Sequence, residues 1–134
     1  MTSTLLLDTH ILIRWIADPR RLSAEQTRVL TSAEQRGEPF GISAMSLIEL
    51  AHLFRAGPAR LRLDQEHVYQ VLETATLYHI FPITIPIARE FGAILTPLQD
   101  PADAIIAATA RVHGLRLLTS DQRIIKANVV STIE

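Results

Sequence analysis

Short apolar runs alternate with longer segments in which apolar residues recur at helical spacing, and this alternation restricts the possible folds more than any other feature of the chain. Five runs have the length and composition of buried β-strands: Thr4–Leu7, Phe40–Ile42, Ile80–Ile83, Leu115–Leu118 and Val129–Thr132. Strands separated by helices form parallel sheets, because a parallel pair needs a crossover connection. We therefore predict one α/β domain over residues 1–134, with a parallel sheet of four to five strands and helices on both faces.

Capping and stop signals place the helices between these strands. Ser23-Ala24-Glu25-Gln26 is a capping box that begins a helix reaching to about Arg36-Gly37, and Pro101 opens a helix over Ala102–Val112. The first helix is expected to end at Asp18-Pro19, and another to run from Ser46 to Gly57-Pro58. A further helix should begin at Asp64, and the helix after the third strand should close before Thr96-Pro97.

The composition removes several functional classes. The chain has no cysteine, which excludes disulfides, thiolate metal sites and a cysteine nucleophile. Its five histidines are scattered without metal-ligand spacing, and its five glycines form neither a P-loop nor a dinucleotide-binding motif. No serine lies in a G-x-S-x-G motif. Since no apolar run is long enough to cross a bilayer and no signal peptide is recognisable, we expect a cytoplasmic protein without membrane association.

Four acidic residues lie far apart in the chain, each where a predicted strand or loop gives way to a helix: Asp8, Glu49, Asp103 and Asp121. The carboxyl ends of parallel strands converge on one crevice, where ligands bind. Carboxylates gathered there repel one another by about 1–4 kcal/mol per pair at 4 Å. A bound cation would offset this repulsion, and oxygen ligands favour Mg²⁺ or Mn²⁺. The pattern therefore predicts a divalent-cation site.

Several of these acids also have a structural explanation. Asp8 could cap the following helix, although an aspartate ending so apolar a strand is better placed for a ligand. Ser46-Leu47-Ile48-Glu49 matches the capping-box pattern S-x-x-E, so Glu49 could complete a cap. In Asp100-Pro101-Ala102-Asp103, capping explains Asp100. Asp103 could be stabilised by the positive end of the helix dipole, or it could bind a metal. These alternatives remain open at this point.

Asp121 repeats the position of Asp8 at the end of an apolar strand. The first and fourth strands are the natural flanks of a topological switch point, so these two acids should face each other across it. Four nearby hydroxyl residues could orient carboxylates or water, or could be local caps: Thr9, Ser43, Thr119 and Ser120.

The four acidic segments together resemble the PIN-domain nucleases, and within them the VapC-type toxins of bacterial toxin–antitoxin pairs. The matching segments are Leu5–His10, Ile42–Leu50, Asp100–Ala110 and Leu117–Asp121. The resemblance covers nearly the whole chain and keeps the order and rough spacing of the motifs. In the third motif it assigns the catalytic role to the acid before Ile-Ala-Ala, which is Asp103, and so favours Asp103 over Asp100. The family's subgroup with Asp-Pro-x-Asp often continues with arginine, where this chain has Ala104.

The resemblance implies a metal-dependent endoribonuclease that acts on structured RNA, such as tRNA or rRNA, and is inhibited by a cognate antitoxin. One or two Mg²⁺ or Mn²⁺ ions would be held mainly by Asp8 and Asp103, with Asp121 completing the site. Glu49 would bind the ion directly or position the attacking water. The resemblance further implies a homodimer.

Twelve arginines against one lysine suggest phosphate contacts, although a coding bias would explain the excess equally well. The candidates for RNA phosphate contacts are Arg14, Arg55, Arg60, Arg62, Arg116 and Arg123. The apolar face of the Leu47–Phe54 helix, including Leu53 and Phe54, could line a groove for an antitoxin helix or belong to the core.

Two other functions fit the same residues. One is a PIN-like module that binds RNA or protein without cutting RNA. The intact set of four acids argues against this, because a site without catalytic activity tolerates the loss of carboxylates. The other is a metal-dependent nuclease acting on DNA, which the acids alone do not distinguish from an RNA-directed enzyme.

Overall fold

A five-stranded parallel sheet organises the chain, as the alternation of apolar runs predicts. The computed structural model of the protein describes residues 2–56 and 63–134. The strands are β1 (Leu5–Leu7), β2 (Phe40–Ser43), β3 (Tyr78–Phe81), β4 (Arg116–Leu118) and β5 (Thr132–Ile133). Their spatial order is β3-β2-β1-β4-β5, so the chain builds outward from β1 and then returns to β1 for the second half. The topological switch point therefore lies between β1 and β4.

Helices connect the strands and cover the sheet. Those that the structure describes are α1 (Thr9–Ala17), α2 (Ala24–Gln35), α3 (Ala44–Ala56), α4 (Gln65–Thr74), α5 (Ile85–Leu98), α6 (Pro101–His113) and α7 (Gln122–Ala127), with a 3₁₀ turn at Pro19–Arg21. The predicted capping box at Ser23 is confirmed, because both of its hydrogen bonds are present. Gly114 ends α6 with a φ of 64°, in the left-handed region that glycine favours. Within residues 2–56 and 63–134, no helix is long and apolar enough to span a bilayer.

The central strand β1 is buried on both faces, which explains why it is apolar at every position. Leu5 and Leu7 point into the core shared with Ile11, Leu12 and Leu30. Leu6 points to the opposite face, where the core is formed by Phe81, Ile87, Ile94, Ala104, Ile106, Ala107, Leu117 and Ile124. Successive strand residues alternate between faces, so a strand covered on both sides has no solvent-facing position for a polar side chain.

Gly41 allows β1, β2 and β3 to pack closely. A Cβ atom at this position would lie 2.6 Å from the carbonyl oxygen of Leu5 and 2.8 Å from the ring of Phe81. Only glycine leaves this space free, so the residue maintains the pairing of Leu6 with Gly41 beside the switch point.

Two strands are displaced along the chain from their predicted positions. β3 covers Tyr78–Phe81 rather than Ile80–Ile83, because Pro82 has no N–H with which to continue the pairing. Tyr78 instead pairs with Phe40, and their rings pack edge to face at 6.1 Å. β5 covers Thr132–Ile133 rather than Val129–Thr132, since α7 runs to Ala127 and its C-cap is Asn128, which has a φ of 52°.

Two helix boundaries also differ from prediction. α5 continues through Pro97 to Leu98, although it was expected to close before Thr96-Pro97. Leu98 is buried, and this apolar contact offsets the backbone hydrogen bond that proline cannot make. α3 begins at Ala44, directly after β2, and not at Ser46. The predicted stop at Gly57-Pro58 lies outside the described residues.

Candidate active site

Asp8 follows β1 and is held at the switch point by three hydrogen bonds. Its backbone N–H donates to the Leu118 carbonyl at 2.9 Å. Its Oδ1 accepts from the Thr9 N–H at 2.8 Å, and its Oδ2 accepts from the Thr119 hydroxyl at 2.8 Å. Asp8 therefore does cap α1, as one interpretation proposed, while its buried carboxylate is also tied to the residue that follows β4. Burial raises the pKa of Asp8, against the opposing effect of the Thr119 hydrogen bond.

Asp121 lies across the switch point from Asp8, in the turn that follows β4. The Thr119 hydroxyl that donates to Asp8 also accepts the Asp121 N–H at 3.1 Å, so one hydroxyl links both acids. Oδ1 of Asp121 accepts the N–H of Arg123 at 2.9 Å and caps α7. The pKa of Asp121 is lowered mainly by its hydrogen bond with the Arg123 side chain.

Asp103 is placed by the first turn of α6. Asp100 is the N-cap of this helix, and its Oδ1 accepts the Asp103 N–H at 3.1 Å, as capping predicts. Asp103 is only 8% exposed. Burial, followed by the negative charges of Asp100, Asp121 and Asp8, raises its pKa to about 7, although Arg123 opposes the shift. Asp103 thus lies in the field of several carboxylates that a single guanidinium does not neutralise.

Glu49 is not part of a capping box, so that alternative is wrong. Because α3 begins at Ala44, Ser46 lies inside the helix, where its hydroxyl contacts the Thr9 hydroxyl at 2.9 Å. The Thr9 hydroxyl donates to Oε1 of Glu49 at 2.6 Å and holds the carboxylate beside Asp8. Burial raises the pKa of Glu49, the Thr9 hydrogen bond lowers it, and the charge of Asp8 raises it further.

The hydroxyl residues predicted near the acids fall into two groups. Thr9 and Thr119 bond directly to acidic side chains. Ser43 is fully buried and accepts the Met45 N–H at 3.1 Å, which is a local cap at the start of α3. Ser120 is exposed and lies 3.4 Å from the Arg14 guanidinium.

Gln26 supports the site from beneath the Thr119 turn, a role that no sequence pattern indicated. Its side chain is fully buried, and its Nε2 lies 3.4 Å from the Thr119 carbonyl and 3.3 Å from the Ser120 hydroxyl. It also lies 3.4 Å from the Ile133 carbonyl in β5. Gln26 was already explained by the capping box, so no separate signal pointed to a second contact from the same amide.

The structure separates the candidate arginines by position. Arg14 lines a cavity of about 200 Å³ together with Asp8, Ser120 and Asp121. Arg123 contacts two of the acids directly. Arg116 is the first residue of β4, at the opposite end of the strand from Asp8 and Asp121.

Arg55 is exposed in the last turn of α3, about 16 Å along the helix axis from its start. Arg60 and Arg62 lie outside the described residues. Only Arg14 and Arg123 are therefore brought to the acids among the candidate arginines that the structure describes.

The apolar face of α3 is divided between the core and two cavities. Phe54 is buried and packs edge to face on Tyr69 at 5.8 Å, so it belongs to the core and not to a groove. Leu47 lines a cavity of about 770 Å³ with Tyr69, Tyr78 and Ile80. Leu53 lines a cavity of about 300 Å³ beside Glu49.

The donor chemistry of this edge suits a divalent cation. Asp8, Asp103, Asp121 and Glu49 offer oxygen ligands alone, which hard cations such as Mg²⁺ and Mn²⁺ prefer. Burial and the neighbouring carboxylates raise the pKa of Asp103, and a divalent cation at this edge would favour its ionised form. In the present side-chain positions, no three acidic or histidine side chains among residues 2–56 and 63–134 surround a common point. Binding would therefore require these side chains to adjust.

Known proteins are similar to this chain in sequence and in fold. The model of the PIN domain family matches residues 5–130. Ribonuclease VapC22 of Mycobacterium tuberculosis is 33% identical over 123 residues, which make up 91% of this chain and 90% of that protein.

Two solved structures superpose over almost the entire chain. The crystal structure of FitAcB from Neisseria gonorrhoeae has a TM-score of 0.65 at 27% identity, covering 97% of this chain and 96% of that one. A toxin–antitoxin complex from Klebsiella pneumoniae has a TM-score of 0.67 at 24% identity, covering 97% of this chain and 96% of that one.

Proposed function

This chain belongs to the PIN domain family, and we propose that it is a Mg²⁺- or Mn²⁺-dependent endoribonuclease acting as the cytoplasmic toxin of a toxin–antitoxin pair. The observation that carries this proposal is the convergence of Asp8, Asp103 and Asp121 at the β1–β4 switch point, where Asp103 has a pKa of about 7. The 33% identity to a protein named as a ribonuclease supports the reaction class. Structured RNA, either tRNA or rRNA, is the proposed substrate.

The four acids have different proposed roles in cation binding. Asp8 and Asp103 would be the main ligands, Asp121 would complete the site, and Glu49 would contribute directly or through water. One or two divalent cations, when bound, would supply Lewis-acid activation of the scissile phosphate. Thr119 keeps Asp8 and Asp121 in position, since its hydroxyl bonds to both residues.

Glu49 is suited to receive a proton from the attacking water. Its carboxylate is half-buried beside Asp8, and both burial and that neighbouring charge raise its pKa. A carboxylate with a raised pKa is a stronger base than one in open solvent. The hydroxyl of Thr9 holds it in one orientation at 2.6 Å, so the base is positioned before substrate arrives.

RNA would approach along the rim formed by the two nearby arginines. Arg14 lines the cavity next to Asp8 and Asp121, and Arg123 lies beside Asp103 and Asp121. A guanidinium binds phosphate with two parallel hydrogen bonds, so these residues can hold the phosphates that flank the scissile bond.

An antitoxin segment would bind the cavity of about 770 Å³ between α3, α4 and the edge strand β3. Its walls are apolar at Leu47, Tyr69, Tyr78 and Ile80, and the acids Glu66 and Glu73 also line it. This composition favours an amphipathic helix with apolar residues toward the cavity and basic residues at its margin. A Leu47→Arg variant should lose antitoxin binding in a pull-down while keeping its nuclease activity, since Leu47 lines a different cavity from Asp8 and Asp121.

A homodimer is also proposed. Ile83 and Ile85 are 52% and 71% exposed; Ile85 is the first residue of α5, and Ile83 lies two residues before it in the chain. Two exposed isoleucines so close together are suited to an apolar contact with a second copy. Sedimentation analysis of the wild-type protein and an Ile85→Glu variant tests this, and a monomeric wild type would contradict it.

Cleavage of total RNA by purified, antitoxin-free protein tests the catalytic proposal. The wild type should cut at few sites when Mg²⁺ or Mn²⁺ is present and should be inactive in EDTA. Asp103→Asn should abolish cutting. Asp100→Asn is the matched control, because asparagine caps a helix about as well as aspartate and the same turn loses one negative charge. This control should keep most of the activity.

The possible contrary results separate the alternatives. Equal cleavage in EDTA, or by Asp103→Asn, would contradict the cation site. Cleavage of DNA in place of RNA would identify a DNA-directed nuclease. Failure of folded, antitoxin-free protein to cut any RNA or DNA, together with retained RNA binding, would identify a non-catalytic binding module.

A further inference from the structure

The Arg123 guanidinium lies between two of the proposed cation ligands. Its Nη2 donates to Oδ2 of Asp121 at 3.0 Å and to Oδ2 of Asp103 at 3.2 Å. Its Nε lies 3.3 Å from Oδ1 of Asp121. One side chain thus joins an acid of α6 to an acid at the start of α7.

The contacts engage the oxygens that a cation would need. A Mg²⁺ ion held by Asp103 and Asp121 requires lone pairs on their carboxylate oxygens at about 2.0–2.1 Å. A guanidinium within hydrogen-bond distance of both Oδ2 atoms would lie too close to a cation at that position, and their positive charges would repel. The cation and Arg123 therefore compete for the same oxygens.

Arg123 is far more exposed to solvent than the acids it contacts. Its side chain is 65% exposed, whereas those of Asp103 and Asp121 are 11% and 25% exposed. An exposed ion pair contributes little to stability, so displacement of the guanidinium costs little. The backbone of Arg123 stays anchored, because its N–H donates to Asp121 at 2.9 Å.

We propose that Arg123 is a displaceable counter-ion of the active site. Its guanidinium occupies the Asp103–Asp121 pair until a divalent cation replaces it, and the displaced guanidinium then binds an RNA phosphate. This inference rests on the proposed function and adds an order of binding to it, with the cation before the RNA. The same guanidinium cannot hold both carboxylates and a phosphate, so cation loading makes it available to the substrate. Arg123 is therefore a positioning residue that weakens cation binding and strengthens RNA binding.

Titration with Mn²⁺ tests the competition without any cleavage assay. Free Mn²⁺ is measured by electron paramagnetic resonance at pH 8 with wild-type protein, Arg123→Gln, Arg123→Lys and Arg14→Gln. Arg123→Gln should bind Mn²⁺ about two- to fivefold more tightly, the factor expected from loss of an exposed ion pair. Arg123→Lys should show a smaller gain, because an ammonium cannot span two carboxylates with the geometry of a guanidinium.

Arg14→Gln is the matched control for charge. It removes one positive charge from the same rim, but Arg14 donates to Ser120 and to neither acid. Its Mn²⁺ affinity should change by less than about twofold, since no carboxylate oxygen is released. Arg123→Gln should raise the Mn²⁺ affinity less in the Asp103→Asn background than it does in the wild-type background.

RNA cleavage supplies a second readout with the opposite sign. At saturating Mn²⁺, Arg123→Gln should have a raised KM for RNA, although it binds the cation more tightly. A gain in Mn²⁺ affinity equal to that of Arg14→Gln, or no gain, would overturn the inference while leaving the nuclease proposal intact. If the wild type binds no Mn²⁺ and cuts no RNA, both fall together.

Discussion

The hydroxyl of Thr119 donates to Oδ2 of Asp8 at 2.8 Å and joins residues that are 111 positions apart in the chain. The same oxygen accepts the Asp121 N–H at 3.1 Å. A side chain that is fully buried therefore sets the distance between two of the proposed cation ligands. Its location is set in turn by the parallel pairing of β1 with β4.

Thr119→Val should reduce RNA cleavage by about 10- to 100-fold, because a ligand loses the partner that orients it. Valine keeps the shape of threonine but leaves the buried Asp8 oxygen with one hydrogen bond fewer, so stability should fall by about 1–2 kcal/mol. Thr119→Ser should keep most of the activity. Steady-state cleavage and urea unfolding measure both effects, and full activity of the valine variant would contradict the linking role.

Gln26→Leu should lower cleavage as well as stability, because the Thr119–Ser120 turn loses the amide beneath it. Ser23→Ala separates this effect from loss of the capping box. It removes the hydroxyl cap at a cost of about 1 kcal/mol but leaves the Gln26 amide in place. A larger fall in kcat for Gln26→Leu than for Ser23→Ala, compared at equal folded fraction, is the expected result.

Cation binding should strengthen as pH rises toward 7. Asp103 has a pKa of about 7, so protons compete with the cation below that value. The apparent Mn²⁺ affinity should therefore increase up to about tenfold per pH unit between pH 5 and pH 7 and level off above it. Calorimetric titration across this range is the measurement, and an affinity independent of pH would contradict the assignment of Asp103 as a ligand.

Asp103→Asn should stabilise the protein in EDTA at pH 8. The raised pKa means that folded protein binds more protons than unfolded protein between about pH 4 and pH 7, so wild-type stability decreases as pH rises through this window. Asparagine does not titrate, and its advantage should grow to about 1–2 kcal/mol above pH 7 after solvent screening is considered. Thermal unfolding at pH 4 and pH 8 checks the sign, because the advantage should vanish at the lower pH.

Gly41→Ala should destabilise the fold by about 2–3 kcal/mol, since its Cβ would lie 2.6 Å from the backbone oxygen of Leu5. Gly92→Ala is a control with the opposite expectation. Gly92 lies inside α5, and a Cβ added there would meet nothing within 4 Å beyond its chain neighbours and the adjacent backbone of its own helix, so alanine should stabilise that helix by about 0.5–1 kcal/mol. Opposite shifts in the urea midpoint of the two variants are expected.

The architecture could be predicted because it depends on patterns that repeat along the chain. The apolar runs Thr4–Leu7 and Leu115–Leu118, with helices between, indicate a parallel sheet whatever the details of the loops, and the structure has strands at both. Local chemistry likewise predicted the capping box at Ser23 and the cap at Asp100, since the groups involved lie within three residues of each other. Boundaries were less accurate where packing competed with propensity, as at Pro97.

The sequence by itself determined the fold class and singled out four acids as candidate cation ligands. Only the tertiary structure decided what each acid contacts: that Glu49 bonds to Thr9, that Gln26 supports the Thr119 turn, and that Arg123 joins Asp103 to Asp121. The physical reason is distance along the chain. Caps and periodic apolar faces arise between near neighbours, whereas contacts between residues 40 or 111 positions apart exist only after the sheet has brought its strand ends together.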